Sequence, residues 1–139
     1  MRILIDTNVA VDIMARREPF IGESSKVLLL CASGLTAGFF SASAFTDLHY
    51  ILRRHLHNEK DVRSALRFWL TIIDIIDSDS GDCTAALDSE VDDYEDAVIC
   101  EAARRRGLDY IVTRNPSDFV RSPVPAITPG EFLKLALKY

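Results

Sequence analysis

The sequence predicts an α/β fold in which a parallel sheet lies between two layers of helices. Short apolar stretches of strand length alternate with longer stretches whose apolar residues recur at helical spacing. The first stretch, residues 3–5, is apolar throughout, which is typical of a strand covered on both faces. The chain has 139 residues, of which 48% are hydrophobic, so it can bury one core. We therefore expect a single domain, residues 1–139, with a three-layer α/β/α architecture.

Five strands are expected. Besides residues 3–5, the apolar runs at 35–42, 72–76 and 110–112 predict strands, and 124–127 predicts a short one. The last is expected at an edge, because Pro123 precedes it and Pro125 lies within it, and both lack the N–H that a central strand needs.

Seven helices are expected between and after these strands. Their predicted limits are residues 9–14, 19–33, 44–56, 59–72, 83–89, 94–106 and 128–139. Pro19 suits a helix start, whereas Gly34 and Gly107 suit helix ends. Thr128 with Glu131 predicts a capping box. The acidic segment 77–82 is interpreted as a polar break.

The composition excludes several classes of protein. Lys and Arg number 16 and Asp and Glu 21, so a net charge of -5 does not indicate a nucleic-acid binder unless positive charge is local or supplied by a metal. No apolar run is long enough to span a bilayer, and no signal-peptide pattern is present. Cys31, Cys83 and Cys100 lack metal-binding spacing and are expected to be reduced core thiols in a cytosolic protein.

Several polar side chains lie either just after a predicted strand or near the start of a predicted helix. All of these positions are expected at the same edge of the sheet. These side chains are Asp6, Asp47, Asp93, Asp96, Asn115 and Asp118. The carboxyl ends of parallel strands meet at one edge, where ligands bind in open α/β sheets. Taken singly, each acid can be explained as a helix cap or as a charge that favours a helix dipole.

Taken together, these acids would repel one another unless a cation neutralised them. Carboxylate oxygens without cysteine or nearby histidine suit Mg²⁺ or Mn²⁺. Such an ion lowers the pKa of a bound water and stabilises displacement at phosphorus. It would also allow an acidic protein to act on an acidic polymer.

Three segments resemble the PIN-domain ribonucleases, particularly the toxins of VapBC-type toxin–antitoxin pairs. They are DTNV at residues 6–9, DYEDA at 93–97, and YIVTRN at 110–115 followed by DF at 118–119. The match extends over nearly the whole chain in length and order. The resemblance implies an α/β/α sandwich with four or five parallel strands and metal-dependent RNA cleavage that leaves a 5′-phosphate. It also implies a homodimer and a small antitoxin that occupies the site.

The resemblance assigns roles to individual residues. Asp6 and Asp96 match the first and third family acids, Asp47 stands where Glu is usual, and Asn115 stands where Asp is frequent. Asp6, Asp47, Asp96 and Asp118 are thus the expected catalytic acids, and the expected metal ligands are these four with Asn115. Residues expected to orient the ligands are Thr7, Asn8, Ser43, Asp93 and Thr113. Arg114 is the preferred contact for a substrate phosphate.

Other interpretations remain beside this one. The cluster Arg53, Arg54, His55 and His57 either contacts phosphates or is a solvated helix end, and the three histidines share no helix face suited to zinc. A phospho-receiver domain would need a lysine after a strand, and an aspartyl phosphatase would need an acid where Asn8 stands. The remaining alternative is a catalytically weakened PIN-like module that binds protein or RNA, which the departures at Asp47 and Asn115 keep open.

Overall fold

The structure, a computed structural model, describes residues Met1–Lys138 and contains one five-stranded sheet in which every pair is parallel. Its strands are β1 (Arg2–Ile5), β2 (Ala37–Ser41), β3 (Asp74–Ile76), β4 (Tyr110–Val112) and β5 (Ala126–Ile127). Their spatial order is β3-β2-β1-β4-β5, with β1 in the centre and β5 at an edge. The predicted fold class is confirmed.

Seven α-helices connect or follow these strands. They are α1 (Thr7–Met14), α2 (Ile21–Ala32), α3 (Ala42–Leu56), α4 (Glu59–Leu70), α5 (Ser80–Ala86), α6 (Tyr94–Arg105) and α7 (Pro129–Ala136). A short 3-10 helix, Pro116–Phe119, follows β4. Between residues 1 and 138, no helix has both the length and the apolar character that crossing a bilayer requires.

The central strand feeds two hydrophobic cores because its side chains alternate between the faces of the sheet. Ile3 and Ile5 join a core that contains buried residues of α1–α4 and α7, in which the rings of Phe40 and Trp69 meet edge to face at 5.6 Å. Leu4 faces the other core, which contains buried residues of α5 and α6. This arrangement covers β1 on both faces, as the apolar run at residues 3–5 predicts.

Five helix starts differ from the prediction by one to three residues: α1 and α3 begin two residues earlier than predicted, α7 begins one residue later, and α2 and α5 also differ. The second helix begins at Ile21 rather than Pro19, after an irregular segment in which Arg16 has a φ of 50°. The fifth begins at Ser80 rather than Cys83, because Asp79 and Asp82 form a capping box within the segment interpreted as a break. The predicted capping box at Thr128 is present, while Tyr139, the predicted end of the last helix, lies outside the described residues.

The prediction of three core thiols is correct for Cys31 and Cys100, which are buried, and wrong for Cys83, which is exposed. The earlier start of α5 puts Cys83 in the second half of the helix's first turn, on its solvent side. None of the three forms a disulfide.

Candidate active site

Asp6 is the single residue between the central strand and the first helix. Its backbone N–H donates to the Val112 carbonyl at 3.0 Å, which ties it to the neighbouring strand β4. One side-chain oxygen accepts a hydrogen bond from the backbone N–H of Thr7 at 2.8 Å, so Asp6 is the N-cap of α1. The cap uses Oδ1, which leaves Oδ2 for other partners.

Two side chains hold the second carboxylate oxygen of Asp6. Thr113, which is completely buried, donates from its hydroxyl to Asp6 Oδ2 at 2.7 Å, and Asn8 donates from Nδ2 at 3.3 Å. The Thr113 hydroxyl oxygen itself accepts from the Asn115 backbone N–H at 3.1 Å. These bonds fix the orientation of Asp6 from both α1 and the end of β4.

A small pocket of about 70 Å³ lies at the carboxyl edge of the sheet and contains four acids, which we call the acidic pocket: Asp6, Asp47, Glu95 and Asp96. Asp47 reaches it from α3, which starts directly after β2 with Ser41 as its N-cap. Glu95 and Asp96 lie in the first turn of α6. Glu95 was not predicted, although its position beside Asp96 at a helix start facing this edge was a usable signal.

The acidic pocket carries uncompensated negative charge. Burial, followed by the charges of Asp93, Asp6 and Asp118, raises the pKa of Asp96 to about 6. Burial also raises the pKa of Asp6, and the hydrogen bond from Thr113 opposes this rise. Both shifts mean that this site favours a bound proton or cation more than an ordinary surface carboxylate does.

The remaining expected acids and amides lie around the acidic pocket rather than in its lining. Asp93 is the N-cap of α6 and accepts from the Asp96 backbone N–H at 2.9 Å, as its simpler interpretation required. Asp118 lines a separate depression beside Glu90, although its charge still raises the pKa of Asp6. Asn115 is exposed and reaches the network through its backbone.

Ser43 has a hydroxyl neighbour rather than a carboxylate neighbour. Its hydroxyl lies 3.2 Å from that of Ser41, whose oxygen accepts from the Ala44 backbone N–H. Ser43 therefore supports the start of α3, the helix that carries Asp47, and acts on the acidic pocket at most through that helix.

The Arg114 side chain is held by the protein itself. Its Nε lies 2.8 Å from Oδ2 of Asp12, which is completely buried, and its guanidinium stacks 4.4 Å from the ring centroid of Phe20. The Asp12 pKa is raised by burial, while the charges of Arg114 and Arg17 oppose the rise. Contact of Arg114 with a substrate phosphate would require this ion pair to break.

A larger cleft of about 670 Å³ adjoins the acidic pocket, and the two share Asp6, Thr7 and Asp47. We call its basic side the basic wall, formed by Arg17, Arg54 and His55. The cluster predicted at residues 53–57 is therefore divided: Arg54 and His55 line the cleft, whereas His57 caps the end of α3 in a left-handed conformation. Arg17 was not predicted.

The four acids of the acidic pocket suit a hard divalent cation, because they offer carboxylate oxygens. Burial first, and then the charges of neighbouring acids, raise the pKa of Asp96 among them. Within residues 1–138, however, no three Asp, Glu, His or Cys side chains are grouped closely enough to hold an ion together. Mg²⁺ commonly uses one or two carboxylates and keeps several waters, so the residues fit this mode of binding.

Comparison with protein-family models matches residues 2–117 to the PIN domain. The chain belongs to the PIN domain family. The matched residues include all four acids of the acidic pocket, while Asp118 lies just beyond them. No curated protein sequence matches the chain significantly.

Solved structures with this PIN fold are similar over most of their length. VapBC2 of Rickettsia felis, bound to a promoter DNA fragment, has a TM-score of 0.70 and 20% identity, covering 92% of this chain and 98% of that chain. A toxin–antitoxin complex from Klebsiella pneumoniae has a TM-score of 0.64 and 22% identity, covering 91% and 96%. Mycobacterium tuberculosis VapC20 has a TM-score of 0.58 and 16% identity, covering 78% and 86%.

Proposed function

We propose that this PIN domain is a metal-dependent endoribonuclease and the toxin of a toxin–antitoxin pair. The observation that carries the proposal is the convergence of Asp6, Asp47 and Asp96 in one pocket from three separate parts of the chain. The raised pKa of Asp96, about 6, supports the interpretation that the pocket accommodates a cation.

Asp6, Asp47 and Asp96 would share Mg²⁺ or Mn²⁺, one or two of them binding it directly and the others through its bound waters, with Asp118 or Asn115 completing the set around them. When bound, such an ion supplies Lewis acidity at the phosphate and lowers the pKa of water. Thr113 and Asn8 keep the Asp6 carboxylate in one orientation through their hydrogen bonds to Oδ2.

The role of a toxin rests on the structural neighbours. The proteins from Rickettsia felis and Klebsiella pneumoniae are toxin–antitoxin complexes, and VapC20 is described as a toxin that cleaves the sarcin–ricin loop. By analogy with these neighbours, we propose that this chain acts on RNA, binds an antitoxin, forms a homodimer and is located in the cytoplasm. The three free cysteines are compatible with a reducing compartment, and exposed Phe68 on α4 offers apolar surface for protein contacts.

A PIN-like binding module without strong catalysis is the second candidate. Asp47 is one methylene shorter than the Glu usual at its position, and no group of three ligating side chains is close enough to hold an ion anywhere in residues 1–138. Both features would weaken metal binding, and hence cleavage, without affecting the fold.

The deciding experiment is cleavage of labelled single-stranded and hairpin RNA by wild type and Asp6→Asn, each with Mg²⁺, Mn²⁺ or excess EDTA. The proposal expects cleavage only by wild type with metal. Asp88→Asn, at an exposed position outside the pocket, is the matched control and should cleave as wild type does. Wild type that binds RNA yet cleaves nothing with either metal would favour the binding module.

A further inference from the structure

The basic wall concentrates positive charge in a protein that is acidic overall. The net charge is -5, and the neighbouring acidic pocket adds local repulsion for any polyanion. A nucleic acid approaching Asp6 and Asp47 therefore needs a compensating positive surface close by. Arg17, Arg54 and His55 line the cleft that continues from these two acids.

The two arginines of the basic wall are free to bind an external anion. No carboxylate of residues 1–138 lies within 4.0 Å of Arg17 or Arg54, whereas seven other arginines form such pairs. Arg17 comes from the irregular segment before α2, and Arg54 comes from the last turns of α3, where its guanidinium lies 5.9 Å from the Tyr50 ring centroid. Because the two arginines reach one cleft from separate elements, a preference for basic residues at a helix end does not explain their arrangement.

We propose that the basic wall binds phosphates of a single RNA strand beside the phosphate that is cleaved. This proposal rests on the proposed function in taking RNA as the substrate, but it does not depend on how the RNA is cleaved. RNA carries a phosphate at every nucleotide, so one strand can place a phosphate at the acidic pocket and neighbouring phosphates along the wall. Arg17 and Arg54 supply charge-assisted hydrogen bonds to these phosphates, and His55 supplies a further ring N–H donor.

The test measures binding of a short labelled single-stranded RNA by fluorescence anisotropy in excess EDTA, where cleavage does not interfere. Arg17→Ala and Arg54→Ala should each weaken binding by roughly fivefold near 50 mM salt and reduce the slope of log K against log salt by about 0.7. Arg53→Ala is the matched control, because it removes the same charge from the adjacent position, where the arginine pairs with Glu59 at 3.5 Å. It should change binding by less than about twofold.

Three results would overturn the proposal: equal losses for Arg53→Ala and Arg54→Ala, no RNA binding by wild type, or equally tight binding of an oligoglutamate peptide with the same dependence on both arginines. The last would show a general anion surface. Melting temperatures of all variants exclude misfolding as the cause. Parallel cleavage assays separate this proposal from the proposed nuclease function. If wild type cleaves RNA but Arg17→Ala and Arg54→Ala bind it as tightly as wild type does, only the role of the basic wall is overturned. If binding depends on both arginines but wild type does not cleave, only the nuclease function is overturned.

Discussion

Two clusters of acids lie at the carboxyl edge of the sheet, and their electrostatics are opposite. Asp77, Asp79 and Asp82 follow β3, and Arg105 contacts all three: its Nη2 lies 3.4 Å from Asp77 Oδ1 and 3.0 Å from Asp82 Oδ2, and its Nε lies 3.2 Å from Asp79 Oδ2. Although burial favours neutral Asp82, the hydrogen bonds from Arg105 and from the Asp79 N–H lower its pKa. We call these three acids the neutralised cluster.

The acidic pocket lacks such a partner. Among residues 1–138, no lysine or arginine forms an ion pair with Asp6, Asp47 or Asp96, and the Arg114 charge that acts on Asp6 belongs to a guanidinium already paired with Asp12. The same type of side chain at the same edge is thus stabilised from within in one cluster and left uncompensated in the other. This contrast supports our proposal that the pocket binds a cation from outside the chain.

The largest expected effect is a difference in RNA cleavage between variants of the acidic pocket and variants of the neutralised cluster. Asp6→Asn and Asp96→Asn should each reduce RNA cleavage by at least about 10³-fold, because a metal ion supplies several kcal/mol of transition-state stabilisation. Asp77→Asn, in the neutralised cluster, should leave the rate unchanged. The measurement is the single-turnover rate on labelled RNA with saturating Mg²⁺. Equal losses in both clusters would show that general surface charge, rather than the pocket, controls cleavage.

A second prediction concerns the arginine nearest the pocket. Arg114→Ala should lower the free energy of unfolding by about 3 kcal/mol, because it leaves the completely buried Asp12 carboxylate without its ion-pair partner. Urea denaturation measures this change. The double variant Asp12→Ala, Arg114→Ala should recover part of the loss, since no buried charge remains unpaired. If Arg114→Ala instead leaves stability unchanged and only weakens RNA binding, Arg114 is the substrate contact that the sequence suggested.

A third prediction is that the neutralised cluster contributes to the stability of the fold. Asp82→Asn removes the charge that pairs with Arg105 and weakens the capping box of α5, so it should cost about 2 kcal/mol of unfolding free energy. Because the folded pKa of Asp82 is lowered, its contribution is present above the ordinary aspartate pKa and is lost as pH falls through the folded value. Melting temperatures measured below about pH 4 should therefore fall more steeply for wild type than for the variant.

The sequence predicted those parts of the fold and site that depend on local patterns. The apolar run at residues 3–5 required a central strand, and the DTNV segment placed Asp6 where that strand passes into α1. Glu95 and Arg17 were missed because their roles depend on which side chains line a pocket, and contacts between distant segments decide that. The predicted polar break is correct for residues 77–79 and wrong from Ser80, where α5 begins. The ionic contacts of this segment were missed because their partner, Arg105, lies 23 residues beyond Asp82.

The segment around Arg114 shows why residue type and sequence position alone were insufficient. Arg114 follows β4 at the correct edge, and this position favoured a phosphate contact over Arg54, which lies near a helix end. The ion pair with buried Asp12 opposes such a contact, because breaking it would leave a buried carboxylate unpaired. That burial follows from how α1 packs, which hydrophobic spacing in the sequence does not specify.

The smallest expected effect sharpens the comparison most, because the two clusters should respond to pH with opposite sign. The pKa of Asp96 is raised to about 6, so the folded state holds this proton more tightly than the unfolded state does. In EDTA, wild type should lose about 1 kcal/mol of stability as pH rises from about 4 to about 6, after allowance for solvent screening. Asp96→Asn should lose less over this range and be more stable than wild type at neutral pH.

Thermal unfolding at stepped pH, with and without saturating Mg²⁺, measures both responses in one series. Bound Mg²⁺ should remove most of the decline in wild type, since the ion stabilises the ionised pocket, and should have little effect on Asp96→Asn. Some decline should persist in the variant without metal, because the pKa of Asp6 is also raised. An identical decline in wild type and Asp96→Asn would mean that its source lies outside Asp96, and the contrast between the clusters would lose its clearest support.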